Sequence, residues 1–449
     1  MYTFKGGTHI NEYKLTKDYA LKDIEAPDRV AISMSQHIGA PCTPSVEAGE
    51  TVLVGQVIGT VDEGALGCPV HASVSGKVIG TEVICGSSGN RETCVVIEND
   101  FRGEIHPDVS PAVDKITKMT KDEIVSVVRA AGITGMGGAS FPAYAKINSA
   151  AGNVDRVIVN CAECEPFITA DHRLLIEHPE KVIGGLKTIM ISLGVKQAFI
   201  AVEDNKKDAA RLLRDKVADS DMITVCLMKT KYPQGDERQL IYALTGTELP
   251  MGMLPMDAGC VIFNAGTCAA IYDAFATGMP VVKRIVTVTG DCVSHPGNYV
   301  VPIGMKVSDV VEKCGGLVKE PFKAVFGGPM MGKAEFSLDT PVKKGTSAIL
   351  LLSKSFENKP VPDPECIRCG KCVSNCPMKL MPAYIAQYSR LGNMEKAKKF
   401  GAMSCVECGT CSYNCPAKIE IVQYIRSAKN NIKAEERRVA ALRAEKKDS

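Results

Sequence analysis

The chain has 449 residues, too many for one ordinary hydrophobic core, so we expect several domains. Its 53 Lys and Arg residues nearly balance its 51 Asp and Glu residues, and the formal net charge of +2 argues against a nucleic-acid-binding protein. Apolar stretches such as 348–352 are far shorter than the roughly 20 residues of a membrane-spanning helix, so we expect no direct membrane span.

The first 105 residues predict a small all-β domain. Between residues 30 and 100, short alternating apolar runs are separated by glycine turns, a pattern typical of a sandwich or barrel. The run 69–78 (PVHASVSGKV) resembles the barrel-sandwich hybrid of biotinyl and lipoyl carrier domains. The modified lysine of those carriers would align with 71–73, which contains no lysine. We therefore expect an unmodified scaffold in which His71 is structural rather than catalytic.

Residues 106–280 predict an α/β domain with a mostly parallel sheet, because helical and strand patterns alternate. Thr120 and Glu123 form a capping box at the start of a helix that should end near Gly132. The further elements alternate along the chain, with strands at 156–160, 197–202 and 222–228 and helices at about 178–193 and 205–217.

Candidate ligand groups follow several of these elements. The glycine-rich loop 132–142 could present backbone N–H groups to an anion, although its spacing is neither the dinucleotide fingerprint nor the P-loop. Asn160, Glu163 and Glu165 follow a strand, where α/β domains place their ligand groups. Cys161 and Cys164 could form a redox or metal pair, but without a second pair beside them we do not expect it.

Two further groups follow in the same region. The segment 232–237 contains a glycine and two acids at the start of a helix, where acids could simply complement the helix dipole. Asn264 and Thr267 lie where a strand leads into a helix. Residues 281–353 then predict a compact β/α module, 354–365 a polar, proline-rich linker, and 429–449 a charged, solvated helix or a docking helix for a partner.

The region 354–428 contains two copies of one cysteine spacing, each followed by proline. Their eight cysteines are Cys366, Cys369, Cys372, Cys376, Cys405, Cys408, Cys411 and Cys415. This is the bacterial ferredoxin run for two 4Fe–4S clusters, in which each fourth cysteine ligates the other cluster. Cys415 should therefore join the first three cysteines, and Cys376 should join the three of the second copy. A zinc site or a disulfide framework is the alternative, but neither calls for this spacing. The remaining cysteines are scattered, and no secretory segment opens the chain, which indicates a reducing compartment.

These motifs together resemble a known family. The loop residues 135–146 look like the flavin loop of the NADH-oxidising subunit of respiratory complex I, and the polar groups near 160, 235 and 264 follow in the same order. Over residues 3–428 the chain more closely resembles the C subunit of Rnf complexes, the membrane-bound ferredoxin:NAD+ oxidoreductases. Against the complex I pattern, Met136 replaces an arginine, Ser140 a glycine, Ala162 an acid and Asp236 a glutamate.

The resemblance implies a multidomain α/β fold with a barrel-sandwich hybrid (1–105), a Rossmann-like FMN and NADH domain (106–280), a soluble-ligand-binding β-grasp module (281–353) with Gly-Gly-Pro-Met-Met-Gly at 327–332, a helical ferredoxin-like domain (354–428) and a tail (429–449). It also implies a set of FMN and NADH contacts, namely Gly135, Gly137, Gly138, Phe141, Lys146, Asn160, Glu163, Glu165, Tyr232, Gly235, Asp236, Glu237, Asn264 and Thr267.

The implied activity is hydride exchange between NADH and FMN, followed by single-electron transfer through two 4Fe–4S clusters to or from ferredoxin-linked partner subunits, coupled to ion translocation. No protein side chain need act as a nucleophile, because FMN carries out the chemistry. The implied location is the cytoplasmic face of the cell membrane, as a peripheral subunit. The alternatives are a cobalamin-reductase flavoprotein of bacterial microcompartments, which has the same cofactor layout, and a scaffold subunit without flavin.

Overall fold

The computed structural model describes residues 1–86, 89–357 and 361–445 of the chain. By their contacts the residues form two compact units. The first consists of Met1–Tyr2, Glu12–Lys229 and Leu254–Glu357. The second consists of Thr3–Asn11, Thr230–Met253 and Asn358–Ser449. The predicted domain boundaries stay predictions. Part of the predicted linker (358–360) and the end of the predicted tail (446–449) lie outside the described residues.

The strands all belong to the first unit. In chain order they are β1 (Leu21–Asp23), β2 (Arg29–Ser33), β3 (Thr43–Pro44), β4 (Thr51–Val52), β5 (Val57–Thr60), β6 (Val70–His71), β7 (Gly76–Cys85), β8 (Arg91–Asn99), β9 (Arg156–Cys161), β10 (Gln197–Glu203), β11 (Ile223–Met228), β12 (Cys260–Asn264), β13 (Lys283–Thr289), β14 (Gly297–Pro302), β15 (Lys323–Phe326), β16 (Lys333–Glu335) and β17 (Ala348–Leu352).

The helices are divided between the two units. In chain order they are α1 (Lys121–Ala130), α2 (Ala143–Ala150), α3 (Ala170–Glu177), α4 (Pro179–Leu193), α5 (Lys207–Lys216), α6 (Glu237–Thr245), α7 (Ala265–Ala276), α8 (Val307–Lys313), α9 (Lys371–Ser374), α10 (Pro382–Arg390), α11 (Met394–Lys399), α12 (Thr410–Tyr413) and α13 (Ile421–Glu445).

The N-terminal part of the first unit has the expected all-β architecture. An antiparallel sheet of order β2-β8-β7-β4 and a small sheet of order β3-β5-β6 enclose a core of aliphatic side chains. His71 is only 4% exposed, and burial lowers the pKa of its imidazole to about 3. A neutral, buried imidazole agrees with the structural role expected for it.

A parallel sheet of order β11-β10-β9-β12 forms the centre of the first unit. The central strand β9 is buried on both faces, and Val157, Ile158 and Val159 are fully buried, which explains its unbroken apolar run. The predicted capping box is present at α1, where Thr120 and Glu123 bond reciprocally. Because parallel strands end at one edge of a sheet, Asn160 near the end of β9 and Asn264 at the end of β12 are paired neighbours.

The fourth sheet of the described residues is mixed, with strand order β1-β14-β13-β17-β15-β16. Its strand β1 comes from the N-terminal region and pairs in parallel with β14, a pairing that local sequence patterns could not indicate. Lys344 joins the three parts of the first unit. Its buried ammonium donates to the carbonyls of Pro69 (3.0 Å) and Gly132 (2.7 Å), and its backbone N–H donates to Gln36 (2.9 Å).

The second unit is helical. Helices α9 to α13 surround a core that includes Ile385, Ile425 and two of the predicted cluster cysteines, Cys372 and Cys411. Helix α6 and residues 3–11 belong to the same unit. The charged C-terminal region continues as α13 to Glu445, and its last described turns are largely exposed, as a solvated helix requires.

Candidate functional site: a glycine loop on a parallel sheet and two cysteine quartets

The glycine loop 134–142 is a closed turn whose ends are bonded to each other. The backbone N–H of Gly135 donates to the carbonyl of Phe141 at 2.8 Å, and Thr134 and Pro142 form a β-bridge. Gly138 has φ of +133°, which only glycine adopts easily, and a Cβ atom there would point into open space. The loop therefore has the shape for close approach of a ligand to the backbone.

Two predicted residues from the start of α7 hold this loop. Thr267 is 1% exposed, and its hydroxyl accepts the N–H of Met136 at 2.9 Å. Asn264 is the N-cap of α7, since its Oδ1 accepts the N–H of Gly266 at 2.9 Å. A Cβ atom on Gly137 would lie 3.2 Å from the Cβ of Asn264. The structure thus packs the glycine loop against the N-terminus of a 12-residue helix, an arrangement that favours anions.

Glu163 lies in a strained turn after β9, with φ of +46°, and its carboxylate caps α3. Its oxygens accept the N–H groups of Asp171 (2.6 Å) and His172 (3.3 Å). Burial raises the pKa of Glu163 to about 7, although the positive charge of Lys14 opposes this shift. These bonds show that Glu163 joins the turn after β9 to the start of α3. Its contact with a substrate stays a prediction.

Glu165 connects the flavin region with the β-grasp module. Its two carboxylate oxygens accept the N–H groups of Met330 (3.1 Å) and Met331 (2.9 Å) in the loop 327–332. A Cβ atom on Gly328 would come within 2.1 Å of the Glu165 carboxylate, so this contact requires glycine there. The glycine-rich loop of the β-grasp module is thus bound directly to a predicted nucleotide residue.

The other predicted residues of the first unit lie around the same sheet edge. Asn160 is the last residue but one of β9, and its Oδ1 accepts the N–H of Ala162 at 3.2 Å. Lys146 projects from α2, with its ammonium 5.6 Å from the centre of the Phe263 ring at the end of β12. Phe141 closes the glycine loop through its carbonyl. The structure therefore brings the first-unit residues of the predicted set together.

Four charged residues that the sequence analysis did not single out form hydrogen bonds with the residues at this edge of the sheet. Lys14 donates to the carbonyls of Glu163 (2.7 Å), Glu165 (2.9 Å) and Ile168 (2.6 Å). Buried Lys206 donates to the carbonyl of Ala162 at 2.7 Å. Asp171 accepts Nδ2–H of Asn264 at 2.6 Å, and Arg284 donates to the carbonyl of Met136 at 2.9 Å. Lone charged residues at irregular spacing carry no sequence signal, because their partners are distant in the chain.

Cys161, the last residue of β9, carries a buried thiol. Cys161 is fully buried, and burial raises the pKa of its thiol well above the ordinary value, so the thiol stays protonated. Among the described residues, no three His, Cys, Asp or Glu side chains converge on a position for a single metal ion. Thiolates around a cubane cluster lie farther apart than the ligands of one ion, so this finding does not bear on the ferredoxin cysteines.

The remaining predicted nucleotide residues, in 232–237, belong to the second unit. Tyr232 is 1% exposed, and its hydroxyl donates to the carbonyl of Cys408 at 2.7 Å. Asp236 is the N-cap of α6 and accepts the N–H groups of Arg238 and Gln239. Glu237 is the first residue of that helix, directly after Gly235 and Asp236. These acids therefore complement a helix terminus, as the simpler interpretation of this segment held. Their contacts with NADH stay a prediction.

The two cysteine runs have the same backbone. Gly370 and Gly409 start the short helices α9 and α12 with φ of +75° and +79°. At one matching pair of positions, Arg368 and Glu407 have φ of +57° and +58°. Such left-handed positions are uncommon outside glycine, so their repetition shows that the cysteine spacing dictates the local fold.

The fourth cysteine of each run lies with the other run. A small apolar cavity is lined by Cys376 together with Cys405, Cys408 and Cys411. Burial raises the pKa of Cys411, and the neighbouring Cys405, Cys408 and Cys376 raise it further. Burial likewise raises the pKa of Cys372, with further contributions from Cys366 and Cys415. Backbone N–H groups also point at sulfur, from Leu380 to Cys376 (3.4 Å) and from Glu407 to Cys405 (3.3 Å). Such donors favour thiolates, so both quartets fit the ligand pattern of two clusters.

The residues of the first unit fit FMN equally well. The glycine loop leaves open space beside Gly138, and the N-terminus of α7 and the loop N–H groups suit a phosphate. In addition, buried Nε of Arg284, beside the loop, has no hydrogen-bond partner among the described residues. An anionic ligand with flat apolar parts matches this combination of donors and space.

Four known domain families match the chain. They are the RnfC barrel sandwich hybrid domain (residues 2–102), the Nuo51 FMN-binding domain (128–273), the SLBB domain (285–334) and the 4Fe–4S dicluster domain (364–419). These matches confirm the expected fold class and the expected FMN and 4Fe–4S cofactors. No helix among the described residues is both long and apolar enough to cross a membrane.

A solved structure supports the fold alone. The NAD+-reducing NiFe hydrogenase in its air-oxidised state is 20% identical, with a TM-score of 0.50 over 71% of this chain and 63% of that one.

Curated relatives match almost the entire chain. The C subunit of the Na+-translocating ferredoxin:NAD+ oxidoreductase complex of Acetobacterium woodii is 47% identical over 97% of this chain and 98% of its own. The proton-translocating counterpart from Clostridium ljungdahlii is 41% identical over 96% of this chain and 94% of its own. The C subunit of the ion-translocating oxidoreductase complex of Rhodobacter capsulatus is 38% identical over 96% and 83%. The chain therefore belongs to the family of C subunits of Rnf-type ion-translocating ferredoxin:NAD+ oxidoreductase complexes.

Proposed function

We propose that this chain exchanges electrons with NAD(H) at a bound FMN and relays them through two 4Fe–4S clusters within an Rnf-type complex. The observation that carries the proposal is the glycine loop, which the bond from Met136 to Thr267 holds on the N-terminus of α7. When bound, FMN takes up a hydride as two electrons and releases them singly, which suits a junction with one-electron clusters.

The glycine loop and the start of α7 bind FMN in this proposal. Gly135, Gly137 and Gly138 let the backbone approach the flavin or its ribityl chain, and the N-terminus of α7 at Asn264 receives the phosphate. Thr267 fixes the loop through Met136, because its oxygen accepts the N–H of that residue. Asn160 lies beside Asn264 on the neighbouring strand and extends the polar edge.

NADH is the substrate that this edge receives. Phe141 provides an apolar ring beside the flavin for the nicotinamide, and Lys146 provides a fixed cation for a nucleotide phosphate. Glu163 and Glu165 hold the surrounding loops through their bonds to backbone N–H groups, and their remaining lone pairs can accept from ribose or carboxamide groups. Tyr232, Gly235, Asp236 and Glu237 complete the nucleotide contacts in this proposal.

Each cluster is held by three cysteines of one run and one of the other. We call Cys366, Cys369, Cys372 and Cys415 the first quartet, and Cys376, Cys405, Cys408 and Cys411 the second quartet. The segment 230–253 packs with the second quartet through Tyr232 and Cys408. This segment carries predicted nucleotide residues and belongs to the same unit as the second quartet.

The relatives are named as C subunits of ion-translocating oxidoreductase complexes, which supports a proposal about assembly and location. We propose that this chain binds the ferredoxin-like and membrane flavin subunits of such a complex, as a peripheral protein on the cytoplasmic face of the cell membrane. The full-length relatives give no support to the cobalamin-reductase alternative.

Anaerobic titration with NADH tests the proposal. The purified chain, reconstituted with FMN and iron, should lose flavin absorbance on addition of NADH and then show EPR signals from two reduced 4Fe–4S clusters. Intact clusters that stay oxidised while NADH is present, with no flavin bleaching, would contradict the proposal.

A paired variant sharpens this titration. Lys146→Ala should weaken FMN or NADH binding while the iron content stays intact. Lys196→Ala is the control, because Lys196 is an exposed lysine that precedes β10, at the opposite edge of the same sheet. Equal NADH oxidation by both variants would remove Lys146 from the site.

A further inference from the structure

Arg284 is the second residue of β13 in the β-grasp module, yet its side chain lies under the glycine loop of the flavin region. It is 4% exposed, and its Nη2 donates to the carbonyl of Met136 at 2.9 Å. A buried arginine bonded to one backbone carbonyl fixes the direction of that peptide. Turning the Met136 carbonyl toward Arg284 leaves the following N–H groups of the loop for a ligand.

The same guanidinium lies at the N-terminus of α7. A Cβ atom on Gly266 would lie 3.0 Å from Nη1 of Arg284, so the first turn of the helix and the guanidinium are in contact. The N-terminus of a helix and a guanidinium are both positive, and together they favour an anion. Any side chain larger than that of glycine at 266 would crowd this contact.

Asp171 is the internal counter-charge. Burial raises the pKa of the Asp171 carboxyl, and the charge of Arg284 opposes that shift most strongly. Burial likewise lowers the pKa of Arg284, and Asp171 opposes that shift. Asp171 also accepts from Nδ2 of Asn264, the N-cap of α7, so the charge of Arg284 acts on a carboxylate that is bonded to the start of that helix.

The guanidinium still has unused donor capacity. Buried Nε of Arg284 has no hydrogen-bond partner among the described residues. An unpaired buried donor is unfavourable, and a bound anion removes that penalty. Thr134, at the start of the glycine loop, is also buried, and its hydroxyl has no hydrogen-bond partner among the described residues. Two buried polar groups, on Arg284 and Thr134, are therefore left without a hydrogen-bond partner among the described residues.

We propose that Arg284 is a positioning residue for the phosphate end of FMN, joining the β-grasp module to the flavin loop. The inference rests on the proposed function, since it assumes that FMN binds this loop. Arg284 sets the Met136 peptide and adds positive charge under the loop and the start of α7. It takes no part in hydride transfer, and its effect falls on ligands that carry a phosphate.

A cavity beside Arg284 allows a chemical rescue experiment with a small cation. Arg284, Met136 and Gly266 line one part of a cavity of 1530 Å³ in the first unit. A small cation can therefore reach the space that a truncated side chain leaves. Lys181 lines the same cavity and pairs with Asp273 at 3.0 Å, so Lys181→Ala removes a positive charge from the cavity without touching the loop.

The experiment measures the affinities of full-length, cluster-loaded, flavin-free protein for FMN and for riboflavin, which lacks the phosphate. Arg284→Ala should weaken FMN binding by about tenfold or more, as expected for loss of a charge-assisted contact, and should change riboflavin binding much less. Arg284→Lys should lose part of the FMN affinity, because lysine keeps the charge but not the planar set of donors. Methylguanidinium should restore FMN affinity to Arg284→Ala, and Lys181→Ala should bind both ligands like the wild type.

Several results would overturn the inference. Equal losses for FMN and riboflavin would show that Arg284 does not act on the phosphate end. An equal loss in Lys181→Ala would show a general effect of cavity charge. If Arg284→Ala fails to fold, the comparison is made on Arg284→Lys, and wild-type binding of both ligands by that variant rejects the inference. A wild-type protein that binds no FMN would instead reject the proposed function.

Discussion

The two cysteine runs have one spacing and one backbone conformation, but they occupy different surroundings. In the first run Cys366 and Cys369 are exposed, and the intervening Ile367 is 66% exposed. In the second run, Cys408 is buried, and Thr410, at the position of exposed Lys371, is fully buried. Helix α13 adds Lys429, which donates to the carbonyl of Cys405 at 2.8 Å.

This difference shows that a cluster motif fixes only the geometry of its ligands. The solvent exposure and the charges around each cluster depend on the rest of the fold. Cluster potentials depend on solvent exposure, net charge and hydrogen bonds to sulfur. A duplicated sequence can therefore give two clusters with different potentials and accessibilities. In this chain the buried copy is the one bonded to Tyr232, and the exposed copy is open to a partner.

The largest expected effect tests the crossing of the fourth cysteines. Cys376→Ala and Cys411→Ala should each remove the second cluster, so the double variant should keep as much iron as either single variant. Cys376→Ala combined with Cys372→Ala should lose both clusters. Iron analysis and EPR of the purified proteins measure this, and a Cys376/Cys411 double variant that loses both clusters would contradict the assignment.

The next effect concerns removal of metal. Because two thiols of the first quartet are exposed, a chelator added under mild oxidation should remove the first cluster several times faster than the second. Iron release followed in Cys415→Ala, which keeps the second cluster, and in Cys376→Ala, which keeps the first, gives the two rates separately. Equal rates would show that the difference in burial has no consequence for access.

A smaller effect should appear in the reduction potentials. Glu407 in the second run pairs with Lys429 and with Arg426 (3.0 Å), whereas Arg368 occupies the matching position in the first run. Glu407→Gln leaves two uncompensated cations near the second cluster and should raise its potential, on the order of tens of millivolts. Arg368→Gln should lower the first potential less, because that position is exposed and screened. EPR-monitored redox titration of each variant decides this, and an opposite sign for Glu407→Gln would refute the electrostatic argument.

The smallest effect tests the tyrosine contact. Tyr232→Phe removes the hydroxyl that donates to the Cys408 carbonyl and should lower the free energy of unfolding of the second unit by about 1 kcal/mol. Calorimetry of the holoprotein should then show a transition lowered by a few degrees. Tyr413→Phe is the matched control, since Tyr413 is 52% exposed. A shift of the same size in both variants would remove Tyr232 as a specific support of the second quartet.

Local patterns predicted much of the fold. The capping box at α1, helix α4 and the strands of the parallel sheet were expected where they occur, because caps and periodicity act over a few residues. Helices α2 and α3 and strands β15 and β16 were missed, since short elements between glycines and charges have weak periodicity. Strand β1 was missed because its partner, β14, lies far along the chain.

The candidate site divides in the same way. The sequence by itself determined the cysteine ligands, the glycine loop and the polar ends of β9 and β12, because spacing and glycine content constrain the local backbone. Only the tertiary structure decided that Glu165 binds the β-grasp loop, that Arg284 donates to Met136, and that the second cysteine run is more buried than the first. Those features depend on contacts between distant segments, and a single sequence carries no local signal for such contacts.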